Sequence, residues 1–224
     1  MIINPTLPII SPPAVQPIFR SFITENMIAL DVILLIIKML LVLTISLVIG
    51  LLLHRNMEKI GFVTNKTLTL ILSILMSLGL SLRFGMSIYT FQGLFLFFLL
   101  LYASMSDITD RHIADHISIS ILALSLISVP NVGFLSIFIG GAVTAAIQIG
   151  VSAFCGGYGG ADFKISSSCA FLLGWSRGFA GLLLGLIIGV IFTLIYNKIK
   201  KRNNKEGFAL IPFISIGMMA MFFI

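Results

Sequence analysis

The chain has 224 residues, of which 58% are apolar and only 10% charged, with a formal net charge of +6 and a mean hydropathy of +1.15. Soluble domains carry about 25% charged residues, and a soluble body of this size has too little interior to hide so much apolar surface. A soluble globular enzyme, a disordered chain and a disulfide-stapled secreted domain are excluded, which leaves an all-α, polytopic membrane protein.

Residues 1–28 hold Pro5, Pro8, Pro12, Pro13 and Pro17, with no basic stretch leading into an apolar one. They read as an irregular tail without a cleavable signal peptide, and 29–224 as one membrane-embedded domain. Eight apolar runs follow, at about 30–53, 67–83, 86–105, 116–129, 133–154, 165–175, 178–197 and 208–224. A full crossing takes about 20 apolar residues, so between six and eight embedded helices are expected, 116–129 and 165–175 being short. Arg83-Phe84-Gly85, Pro130-Asn131 and Ser176-Arg177-Gly178 are read as turns. The Gly-x-x-x-Gly spacings at Gly174/Gly178 and Gly181/Gly185/Gly189 read as close helix packing.

The positive charge belongs to loops. Of fourteen Lys and Arg, five fall between Lys198 and Lys205, and three more are Arg55, Lys59 and Lys66. Threading the runs alternately, with 198–205 in the cytoplasm, puts ten basic residues inside and three outside, with Lys38 left in a helix. That is the positive-inside asymmetry and not a nucleic-acid footprint. Cys155 and Cys169 are too few and too far apart for a zinc site or a redox pair.

Half of the eight acidic residues sit at two places. Asp107, Asp110 and Asp115 follow the third run, and Asp162 follows the fifth, beyond Gly156, Gly157, Gly159 and Gly160. Both segments fall on the cytoplasmic side of the threaded topology. Two carboxylates brought within a few ångströms share a proton, so one stays ionised and the other protonated. Such a pair takes a proton from water and hydrogen-bonds a scissile carbonyl, which is aspartyl protease chemistry with no metal or cofactor. Asp110 and Asp115, by contrast, read first as residues at the start of a following helix. The glycines are read as a loop, shaped by Gly159, Gly160 and Ala161, that carries Asp162 across to another helix end. They lack the Lys-Ser/Thr ending of a phosphate-binding loop. Lys164 is placed either to hold a carboxylate ionised or to anchor at the interface. His112 and His116 are spaced as metal ligands, but no second ligand set supports a metal, and none is assigned.

At these two segments the chain resembles the type IV prepilin peptidases, membrane aspartyl proteases of the GxGD type. Asp107 stands six residues before Ile113, with Ala114-Asp115 where Pro-Asn is usual. Gly159-Gly160-Ala161-Asp162-Phe163-Lys164 matches the second motif, with Ala161 in place of a glycine. Ile211-Pro212-Phe213 ahead of Gly217 is similar to the family's last helix. The resemblance implies catalysis by Asp107 and Asp162 at cytoplasmic helix ends in a bacterial or archaeal plasma membrane. It implies cleavage after a Gly, which removes short basic leaders from prepilin-like proteins of Flp (tight-adherence) pili or secretion systems. The chain carries no paired CxxC motifs, so it is similar to the short form without methyltransferase activity. The expected partners are prepilin-like substrates and membrane lipid, with no nucleic acid and with homo-oligomerisation left open. A transporter or channel component using interfacial carboxylates is the reading from another class.

Overall fold

The structure is a computed structural model and describes residues 17–62, 64–155, 160–200 and 208–224. Its described elements are helical: α1 Pro17–Ile60, α2 Lys66–Phe84, α3 Ile88–Asp110, α4 Asp115–Ser125, α5 Val129–Val132, α6 Phe134–Cys155, α7 Gly160–Leu173, α8 Trp175–Lys200 and α9 Ile211–Phe223, with a 3-10 turn Leu126–Ser128 joining α4 to α5. The apolar runs of the sequence coincide with these helices, except that 116–129 is divided among α4, the 3-10 turn and α5, and 165–175 runs past the end of α7 at Gly174. Among the described residues five helical stretches are long and apolar enough to cross a membrane, in α1, α2, α3 and α8 and in Asp115–Val132 (α4 through α5), and Phe134–Gly150 and Ile211–Phe223 are shorter apolar helices.

Three expectations need correction. The irregular tail was expected to reach residue 28, but α1 begins at Pro17. Proline is tolerated in the first helical turn, where its missing N–H would have had no partner, and 18–28 contain no further proline. Residues 1–16 lie outside the described residues. Pro130-Asn131 do not turn the chain; they sit in α5, and the break falls at Gly133, where φ is +83°. Likewise Ser176-Arg177-Gly178 lie inside α8, and Gly174 with φ +80° makes the break before it. Both conformations are ones that side-chain-bearing residues rarely adopt.

Cross-links between elements define two ends of the bundle. At one end Phe62 packs on Tyr102, Lys164 meets Asp115, and the Ile211 amide meets Asp107. That end gathers the end of α1, the start of α2, the α3–α4 link and the starts of α7 and α9. At the other, Arg83 Nε donates to the Phe223 carbonyl (3.0 Å) and Gln92 Nε2 to the Leu124 carbonyl (3.0 Å). The Trp175 amide reaches Ser136 Oγ there, at 3.3 Å.

Helix α7 runs through the middle, packed on α4, α6, α8 and α9, with every residue from Ile165 to Ala170 buried. Its run Ser166-Ser167-Ser168 survives burial because each hydroxyl donates to a carbonyl four residues back: Asp162 (2.5 Å), Phe163 (2.6 Å) and Lys164 (2.8 Å). No polar group of that stretch is then left to meet hydrocarbon. The glycine spacings serve packing as expected. A Cβ on Gly217 of α9 would run into the main chain of Gly181 and Gly185 on α8, so the two backbones touch directly.

Candidate active site

Asp107 lies three residues before the end of α3. Leu100, Ala103, Ser104 and Asp107 recur at helical spacing and all face inward, so the carboxylate inherits a buried position and is 8% exposed. Asp110 ends α3 and is exposed, which separates it from Asp107. It is not at a helix start, as one reading had it; only Asp115 is, in the first turn of α4.

What holds Asp107 is a main-chain donor. Its Oδ2 accepts from the Ile211 amide at 3.1 Å. Leu210 precedes α9 and offers no side-chain cap, and Pro212 brings no N–H of its own. The amides of Phe213 and Ile214 turn back to the Leu210 carbonyl. Asp107 therefore caps α9 from another helix, at the positive end of the α9 dipole, where an ionised carboxylate is favoured. One turn further in, Ser104 Oγ and Ser215 Oγ are 3.1 Å apart, a second rung between the same two helices. These rungs fix the carboxylate against rotation.

Asp162 lies half-buried in the first turn of α7, a site that also favours negative charge. The expected shaping loop is, at Gly160, Ala161 and Lys164, already helix. Gly159, with Gly156 and Gly157, lies outside the described residues. Because Ala161 is helical and does not have positive φ, the alanine where the motif usually has glycine adds no backbone strain, and its methyl packs on the core.

The two aspartates come to the same end of the bundle through the α3–α4 link. That link leaves α3 at Arg111, and Ser106 Oγ pins it by donating to the His112 carbonyl at 2.5 Å. Buried Ile113 then carries it to the start of α7. There His112, Ile113 and Asp115 line a cavity of about 350 Å³ together with Gly160, Ala161 and Lys164. Lys164 Nζ meets Asp115 Oδ1 at 2.6 Å, so the lysine does hold a carboxylate, that of Asp115. The pair is open to water, and its role is to join α4 to α7 more than to add stability. His112 and His116 are both exposed.

A second cavity, of about 400 Å³, opens on Asp107 between α3, α8 and α9, walled by Arg111, Phe192, Tyr196, Phe208 and Phe213 among others. Arg111 is the only described non-glycine residue with positive φ (52°), a conformation that costs about 1–2 kcal/mol. Reading the sequence missed both Arg111 and the Ile211 amide. The Pro212 position, which favours a helix start, was the available signal for the second. A left-handed arginine leaves no mark in composition or spacing.

These features define a multi-pass helical membrane protein with two carboxylates at one end of the bundle. Residues 94–194, a stretch that runs from α3 into α8 and holds both aspartates, match the type IV leader peptidase family. Helices α1, α2 and α9 lie outside the match. No curated protein and no solved structure gives a match.

Proposed function

We propose that the protein is an aspartyl endopeptidase that removes short basic leaders from type IV prepilin-like precursors, of the Flp type or of secretion systems, at the cytoplasmic face of the membrane. The observation that carries the reading is the buried Asp107, held by the Ile211 amide at the bundle end that also receives Asp162. With one carboxyl group ionised and one protonated, the ionised group takes a proton from water as the water oxygen attacks the scissile carbonyl carbon. The protonated one donates to the carbonyl oxygen. Proton return to the amide nitrogen then releases the new N-terminus as the C–N bond breaks. The cavity beside it has room for peptide side chains flanking the bond.

Capping α9 is a purely structural use of Asp107, and one substitution separates the two. Asp107→Asn keeps a carbonyl oxygen for the Ile211 amide but removes the ionisable group. Co-expression with a candidate prepilin, read by gel shift for leader loss, is expected to show no processing with Asp107→Asn or Asp162→Asn while both variants stay folded in the membrane. Processing by Asp107→Asn at the wild-type rate would reduce that residue to a cap. Purified protein is expected to cleave with EDTA present and S-adenosylmethionine absent, leaving an unmethylated amine on the product. Activity lost to chelation and restored by zinc would replace the two-carboxylate mechanism with a metal-dependent one.

A further inference from the structure

A cavity of about 470 Å³ lies at the end of the bundle away from the aspartates, where α2, α3, α6, α7, α8 and α9 converge. Its wall includes Arg83 and Arg177 and no carboxylate side chain. Arg83 is committed, through Nε and Nη2, to the main-chain oxygens of Phe223 (3.0 Å) and Ile224 (3.5 Å). Arg177 has no partner among the described residues and is the cation left for a ligand. Gln92, 1% exposed, is the third polar element. Its amide nitrogen donates to the Leu124 carbonyl at 3.0 Å and to Ser128 Oγ at 2.8 Å, which fixes the amide orientation. Its Oε1 is buried without a partner. A buried acceptor in that state is destabilising until a donor reaches it. The site therefore lacks an anion for Arg177 and a hydroxyl-type donor for Gln92. Phe84 and Phe222 give the same wall an apolar part, as expected where a headgroup meets its acyl chains.

We propose that this cavity binds a phosphoglycerol group, the phosphate on Arg177 and a glycerol hydroxyl toward Gln92 Oε1. The group is supplied either by an anionic lipid headgroup or by a soluble glycerol phosphate. This inference does not depend on the peptidase reading.

The test uses the full chain in neutral detergent, titrated with short-chain phosphatidylglycerol, phosphatidylcholine or glycerol 3-phosphate and followed by thermal unfolding. Phosphatidylglycerol is expected to raise Tm saturably, with phosphatidylcholine giving little. Arg177→Gln, a change at an exposed side chain, is expected to weaken that saturation about tenfold, the loss of one charge-assisted contact. Arg55→Gln, at the opposite end, serves as control and is expected to leave it unchanged. Gln92→Leu is expected to reduce the preference for phosphatidylglycerol over phosphatidic acid, which lacks the glycerol hydroxyls. Equal saturation by glycerol 3-phosphate assigns the source to the solute; saturation by the lipid alone assigns it to the membrane. Equal responses to phosphatidylglycerol and phosphatidylcholine, or equal effects of Arg177→Gln and Arg55→Gln, would overturn the proposal.

Discussion

Helices α1 and α3 are both long and apolar, yet the more hydropathic of the two is the less buried. The most apolar 18-residue window of α1, within Leu30–Ile60, has a mean hydropathy of 3.0 and is 11% buried, whereas the corresponding window of α3 has 1.7 and is 61% buried. In water this order would be reversed. In a bilayer the lipid tails are as apolar as leucine, so hydrophobicity does not draw a helix inward. What goes inside is what lipid cannot satisfy. On α3 the buried set includes Thr90, Gln92, Ser104, Ser106 and Asp107, each with a hydrogen-bond partner on or across helices. From residue 30 to 38, α1 is exposed at every position. The helix carrying the candidate chemistry is thus the one that hydropathy alone would rank lower.

That contrast is broken most severely at Asp107. Removing its ionisable group, or that of Asp162, is expected to lower cleavage by at least about a hundredfold in a leader-processing assay. Asp110→Asn, outside the buried face, is expected to keep most of the activity. Equal losses at 107 and 110 would mean that burial does not mark the catalytic residue.

Next in size is the interior packing behind the site. Gly217→Val places two methyl groups against the α8 main chain and is expected to destabilise the folded protein by about 1–3 kcal/mol, seen as a lower Tm in detergent. An unchanged Tm would show that the α8–α9 contact is looser than the direct backbone approach described here.

The polar rung between α3 and α9 is weaker. Ser104→Ala removes the hydroxyl facing Ser215, and hydrogen bonds of this kind in membranes average about 0.6 kcal/mol. A larger effect on cleavage than on Tm is expected, because the rung steadies the helix pair that holds Asp107. The reverse pattern would make it simple glue.

The smallest effect belongs to the exposed helix. Leu34 on α1 is exposed, so Leu34→Ala opens little cavity and its cost is expected to fall below about 0.5 kcal/mol. A loss of several kilocalories there would show that α1 is covered by a partner and not by lipid.

The sequence by itself determined the helical membrane class, all eight apolar segments, and the two aspartates worth testing. Composition and run length respond directly to the bilayer, whose thickness and lack of hydrogen-bonding partners leave few alternatives. Glycine and proline located the breaks only to within a few residues, because Pro130 suits a helix start as well as a turn, and only φ shows that Gly133 and Gly174 reverse the chain. The Gly159–Lys164 stretch read as loop because its glycines are permissive, while the structure makes Gly160–Lys164 the start of α7. Tertiary structure alone decided which carboxylate of the first cluster is buried and what holds it. Asp107 and Asp110 are one helical turn apart and chemically identical, and α3 ends between burial and exposure. The group that fixes Asp107 is a main-chain amide 104 residues away. Every residue but proline carries such a donor, so no side-chain pattern points to the one that is used.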